Sequence, residues 1–387
     1  MGRRAAGLIA LAALAIGGGA LLADAAGSWR FVDVWCFYHG GEAALRHVDP
    51  YDPPTWLALT DDPSRLAGPR PVKAPCPGAF GYPYWSALAF APLALLPYDL
   101  AAGVWAALLL TGLVAGVVLI ARATGAPLAL TALLAVGSLA FMRTVVLGQL
   151  TGLLFPLIGL SLLAPPARSG VAAGLLALKP QLAGLYLPAL LAHALGRRDR
   201  RFVVWCAGAL LALVAASVVA WPAWPTGWWR ELTTNRTELA RPLPTAAGLA
   251  TLLLGDARWA VVLVAALVVA VVLLARGRRI DRVAYAAIAI SVSLFAVPYA
   301  YSYDHLLLLL PWTVVAAAAT RAPPTRRGLL LAGLIAASIV VPWAIFAITV
   351  GSGDDTPNAF VPVLAALFAT GVCPKALAPG PDPPGAA

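Results

Sequence analysis

Charge is what this chain has least of: 11% of its 387 residues are Asp, Glu, Lys or Arg, against 61% hydrophobic. Soluble globular chains carry about 25% charged residues, so a soluble fold is excluded. The disordered and nucleic-acid-binding classes fall with it, because both need charge in quantity. Four cysteines in this length exclude a small disulfide framework. No segment repeats another, and neither a glycine-rich phosphate loop nor a metal-ligand cluster is visible in the sequence, so no cofactor is expected.

What the chain has is long apolar runs and a mean hydropathy of +0.84. It reads as an all-α polytopic membrane protein with about twelve spans of roughly 20 residues each. They fall near 5–27, 80–97, 99–121, 126–142, 147–164, 170–194, 202–220, 257–275, 283–302, 304–320, 328–349 and 357–373. The net charge of +10 is a topology signal rather than the mark of a polyanion partner. Arg3-Arg4, Arg197 to Arg201, Arg276 to Arg282 and Arg321 to Arg327 separate apolar runs and all fall on the cytoplasmic side, with the first helix retained. The count strains at 122–168, where Arg122 and Arg168 land outside and Arg143 inside.

Two segments then face outward, 28–79 and 221–256, and the tail 374–387 reads as disordered and cytoplasmic. Within the first, Val34, Tyr38, Gly41 and Leu45 recur at helical spacing, which predicts an amphipathic helix on the membrane surface with Asp33 as its N-cap. Cys36 and Cys76 share that loop, where the compartment permits a disulfide that sequence alone cannot assign. The second loop carries Trp221, Trp224, Trp228 and Trp229, suited to a lipid–water interface.

Polar groups inside apolar runs are expensive and read as sites. Lys179, before Pro180-Gln181, is either such a site or a lysine snorkelling to the outer interface. The run Tyr299-Ala300-Tyr301-Ser302-Tyr303-Asp304-His305 joins two spans: it is either an interfacial turn with a helix cap, or a carboxylate and imidazole among sugar-binding aromatics. Gln149 is a ligand or an interhelical hydrogen bond.

Taken in order, Asp33 with Phe37, Tyr38 and Gly41, Asp49-Pro50-Tyr51-Asp52, Phe80-Gly81-Tyr82-Pro83-Tyr84, Gly148-Gln149, Lys179-Pro180-Gln181 and Pro298 with Tyr303-Asp304 resemble glycosyltransferase family 87. The resemblance runs over about residues 30–320; where the family usually has Tyr-Pro-Pro, this chain has Tyr82-Pro83-Tyr84. It implies the GT-C fold, one transmembrane glycosyltransferase domain over 1–373, and transfer of a hexose, commonly mannose, from a polyprenyl phosphate carrier to a glycolipid or glycan acceptor at the outer face of the cell membrane. The chemistry assigns Asp33 as base, Asp304 with His305 as its rival, and Lys179, helped by Arg230, to the phosphate. Gln181, Tyr82, Tyr84, Gln149 and Tyr303 are the remaining substrate-binding candidates. A transporter or lipid flippase is the competing class, though such proteins commonly carry the internal repeats absent here.

Overall fold

The computed structural model describes residues 32–61, 76, 78–234 and 243–374. The predicted first span 5–27 and the predicted disordered tail from 375 onward lie outside the described residues. Every element among the described residues is helical.

Among the described residues four helices are long and apolar enough to cross a bilayer: Tyr98–Thr124, Arg200–Ala220, Ala257–Ala275 and Pro324–Thr349. A fifth candidate is the pair Leu128–Gly137 and Leu139–Leu147, bent by 64° at Ser138, whose hydroxyl caps the second helix at Phe141 N. The other predicted spans among the described residues are shorter or broken. Thr151–Leu163, Tyr186–Gly196, Arg282–Ala296 and Thr356–Val372 are apolar helices of reduced length. Helices Arg200–Ala220 and Ala257–Ala275 bury only a few side chains each, and the remainder form apolar outer faces suited to lipid. Helix Tyr98–Thr124 instead packs against Thr151–Leu163 through Gly112, where a methyl group would lie 2.7 Å from Gly152 O. That is the small-residue contact expected between helices when no solvent drives association.

Two predicted crossings are corrected. Segment 80–97 contains only the helix Tyr84–Ala94, about 16 Å long, half of a hydrocarbon core. It lies along helix Val32–Arg46: Gly40 meets the Phe80 ring, Gly41 meets Phe90 O, and the Tyr38 hydroxyl donates to Leu96 O at 2.8 Å. Segment 170–194 breaks at Lys179 into Pro166–Leu175 and, after a short turn, Tyr186–Gly196. The two errors offset in parity, and the residues between them change ends. Gly125 abuts the Arg321 guanidinium, and Arg282 donates to Ser161 O at 2.8 Å and Ser169 Oγ at 3.0 Å. Arg122 and Arg168 therefore belong to the arginine-rich end. Arg143 pairs with Asp355 at 3.0 Å at the opposite end, beside Ser302. The strain in the charge count disappears with this exchange.

The predicted surface helix is also corrected. Val32–Arg46 forms, but Val34, Phe37, Tyr38, His39, Gly41 and Glu42 are buried against helix Tyr84–Ala94 and its neighbours, leaving Leu45 exposed. Its apolar stripe is covered by protein, not lipid. Gly41 is required, since a methyl group there would lie 2.5 Å from Phe90 O. Asp33 is in the first turn rather than at the cap. Cys36 and Cys76 form the disulfide, Cα to Cα 5.5 Å, and fasten the approach to Tyr84–Ala94 onto this helix.

Candidate active site

The predicted polar residues converge at the end of the bundle remote from the arginine clusters. Helix Val32–Arg46 supplies Asp33, and the turn at Gly148, whose left-handed φ of 67° closes helix Leu139–Leu147, supplies Gln149. Trp105 Nε1 donates to Gly148 O at 2.8 Å and holds that turn. The break in the third polar segment supplies Lys179, pinned because Trp85 Nε1 donates to Ala177 O at 2.8 Å and Ser86 Oγ to Leu178 O at 2.6 Å. The non-helical run 297–303 supplies the tyrosines and leads into Asp304.

One hydrogen-bonded chain joins them. Gln149 donates from Nε2 to Asp33 Oδ2 and accepts at Oε1 from Lys179 Nζ, 3.1 Å. Lys179 donates further to Thr151 Oγ1 at 2.8 Å and Asp304 Oδ1 at 2.6 Å. Thr151 Oγ1 donates to the same Asp304 oxygen at 2.6 Å, and Tyr301 N donates to Asp304 Oδ2 at 3.2 Å. The ammonium thus has three acceptors for its three protons, and the Tyr303 ring covers it at 4.6 Å. Lys179, Gln149 and Asp304 are fully buried, whereas Asp33, Tyr82, Gln181, Tyr299 and Tyr301 remain half-buried.

The arrangement is layered: a compensated ion pair behind, and a half-buried carboxylate with a tyrosine rim in front. Tyr82, Tyr299 and Tyr303 are close enough to Asp33 to feel its charge, and Tyr82 is hydrogen-bonded to Gln181. Burial raises the Asp33 carboxyl to about 6, opposed by the Gln149 hydrogen bond and then by the charges of Lys179 and Arg143. A base of that strength is ionised at neutral pH and more basic than an ordinary aspartate.

Several predicted roles change. Lys179 does not snorkel: it is fully buried, and its protons are committed to Gln149, Thr151 and Asp304, so no proton is left for a phosphate. Asp304 is the buried partner of that lysine, which removes the open face a rival base needs. His305 is buried apart from the network and lines a cavity of about 20 Å³ with Ser302, Trp312 and Asn358. Tyr84 is buried beside Trp221, ring centroids 6.3 Å apart, outside the tyrosine rim. Arg230 is exposed on helix Trp224–Thr234, near Asp52. Gln149 makes the hydrogen bonds between elements that one of its two readings expected, to Asp33 and Lys179.

Sequence reasoning missed Thr151 and the pair Arg143–Asp355, whereas Tyr299 and Tyr301 stood in the aromatic run it singled out. The charge count gave no direct signal for Arg143, which it set inside; the arginines it could not place were its neighbours Arg122 and Arg168.

Among the described residues the chain is all-helical with bilayer-length apolar helices, and it carries a half-buried carboxylate with an aromatic rim over a buried ion pair, which defines a polytopic membrane protein with a polar site. A sequence profile of glycosyltransferase family 87 matches residues 80–311, and the chain belongs to that family. It is a membrane glycosyltransferase. No curated protein and no solved structure matches it.

Proposed function

We propose that the chain transfers a hexose, with mannose the first to test, from a polyprenyl phosphate carrier to a hydroxyl of a glycolipid or glycan at the outer face of the cell membrane. The observation that carries this reading is Asp33, a half-buried carboxylate raised to about 6 by burial and held by Gln149. The acceptor O–H gives its proton to Asp33 as its oxygen attacks the anomeric carbon. The carbon–oxygen bond to the phosphate breaks in the same displacement, so configuration inverts, and polyprenyl phosphate leaves with the electron pair.

The network explains why Asp33 rather than Asp304 accepts the proton. Asp304 already receives Lys179, Thr151 and Tyr301 N, and its charge is neutralised within the protein. Lys179 acts at one remove, fixing Gln149 and through it the orientation of Asp33. Arg143 takes the role first assigned to Lys179: it is partly exposed, it acts electrostatically on Asp33, and it is oriented by Asp355 and Ser302. A guanidinium so placed stabilises charge developing on a departing phosphate. Half-buried Tyr82, Tyr299 and Tyr301 supply the flat surfaces on which a sugar ring packs.

The test is incubation of the purified protein with a panel of polyprenyl phosphate hexoses and a glycolipid acceptor, reading release of polyprenyl phosphate and the anomeric configuration of the product. Release from one donor with inverted product supports the reading. Absence of release from every donor, or retained configuration, counts against it.

A further inference from the structure

At the arginine-rich end a second cavity, of about 490 Å³, opens between four elements. Its rim carries Arg278, Arg321 and Arg326, and Ala318, Ala322, Leu330 and Val372 form an apolar wall. Arg321 ends helix Leu309–Arg321, whose other end adjoins Asp304. Thirteen residues of helix put about 20 Å between this cavity and the catalytic network.

Among the described residues none of the three guanidinium groups has a carboxylate partner. Arg278 donates from Nε to Leu274 O at 2.7 Å and from Nη1 to Gly371 O at 2.9 Å and Cys373 O at 2.6 Å. Those carbonyls fix its orientation and leave its charge without a counter-ion. Arg321 and Arg326 make no hydrogen bond or ion pair with the described residues, in contrast to Arg282 and Arg327 at the same end, which do. Asp281 lies close enough to act on Cys373, but its carboxylate is engaged in capping Ala284 N at 2.8 Å.

We propose that this cavity binds the phosphate of an anionic phospholipid. Basic residues at the ends of membrane helices are ordinarily spread over a solvated surface. Here three reach one concavity of ligand size from three separate elements, and the wall behind them is apolar. A soluble anion needs no such wall; a phosphate carrying acyl chains does. Helix Pro324–Thr349 leads from the rim along the outside of the bundle, and Leu329, in the same turn as Arg326, is 77% exposed, giving the chains a surface to follow.

The experiment uses the full chain, purified in detergent and stripped of lipid, titrated with phosphatidylglycerol or phosphatidylcholine and read by native mass spectrometry. Phosphatidylglycerol is expected to bind at least about tenfold more tightly, since each basic residue near such a surface adds severalfold to affinity. The pair Arg321→Gln with Arg326→Gln is expected to abolish that preference, and the Lys pair at the same positions to keep it. The control pair Arg200→Gln with Arg201→Gln, on another helix, keeps it too. An unchanged preference in the Gln pair overturns the proposal. So does an equal loss in the control pair, which shows diffuse surface charge, or displacement of the lipid by equimolar inorganic phosphate, which shows a soluble-anion site. Should the Gln pair fail to fold, a photo-crosslinking residue at position 330 with all arginines intact decides: capture of phosphatidylglycerol over phosphatidylcholine supports the site, and equal capture refutes it.

Discussion

Replacing Gln149 with Met isolates the link between the buried ion pair and the base. The side chain keeps its length, and Lys179 keeps Thr151 and Asp304 as acceptors. What is lost is the Nε2 donor to Asp33 Oδ2 and one of the three acceptors of Lys179, the latter read separately through the unfolding temperature. A hydrogen bond to a charged group contributes about 1.5 to 3 kcal/mol, and one pKa unit corresponds to about 1.4 kcal/mol. That bond favours the ionised carboxylate, so its removal must raise the Asp33 pKa, from about 6 to between about 7 and 8. A base works when unprotonated, so kcat/KM in the parent falls as pH drops through about 6, and in Gln149→Met the same limb moves to higher pH. At pH 7 the ionised fraction falls from about nine tenths to between about one half and one tenth, a loss of about two- to tenfold, and most of the rate returns by about pH 9. The assay is polyprenyl phosphate release at subsaturating donor from about pH 5 to pH 9.5, with unfolding temperature followed in parallel. A limb that stays in place, or a loss equal at every pH, refutes the coupling of Gln149 to the base.

Three further outcomes are expected. Lys179→Met leaves the buried Asp304 carboxylate unpaired and should destabilise the protein by about 3 to 5 kcal/mol, so its expression and unfolding temperature fall, whereas Lys179→Met with Asp304→Asn recovers most of the loss; equal instability of both variants contradicts the ion-pair account. Arg143→Gln should raise the KM for the lipid donor about tenfold or more with folding retained, and unchanged donor kinetics would remove Arg143 from the phosphate. Opening the Cys36–Cys76 loop, a sequence separation of 40, with the pair Cys36→Ala and Cys76→Ala should cost about 4 kcal/mol of stability by loop entropy; denaturation curves within about 1 kcal/mol of the parent would show that the bridge constrains little.

Much of the site was legible because a polar group in an apolar run is costly and therefore conspicuous. Lys179, Gln149 and the run holding Tyr303 and Asp304 could be named that way, whereas Asp33 was read as the cap of a loop helix and Tyr82 and Gln181 entered through the resemblance to the family. Their pairing could not be named, because a sequence carries no distances: a lysine free for phosphate and one bound to a carboxylate 125 positions along the chain look the same. Periodicity likewise showed that helix Val32–Arg46 has an apolar stripe without showing whether lipid or protein covers it. Hydropathy read 80–97 as a crossing because it registers composition, and Pro83, Pro92 and Pro97 shorten that helix without making it less apolar. The break at Lys179 was signalled only by Pro180, which loosens a helix without saying whether the chain goes on or turns back.

The central claim is that Asp33 is the base, and turnover of Asp33→Asn measured beside its donor affinity tests it most directly. Asparagine keeps the size of the side chain but cannot take the acceptor's proton, and a general base contributes about 10² to 10⁴ in rate. The account predicts kcat reduced by at least about a hundredfold with the dissociation constant for the polyprenyl phosphate sugar within about threefold of the parent. Turnover of Asp33→Asn within about threefold of the parent, under roughly 0.7 kcal/mol of barrier, would contradict it.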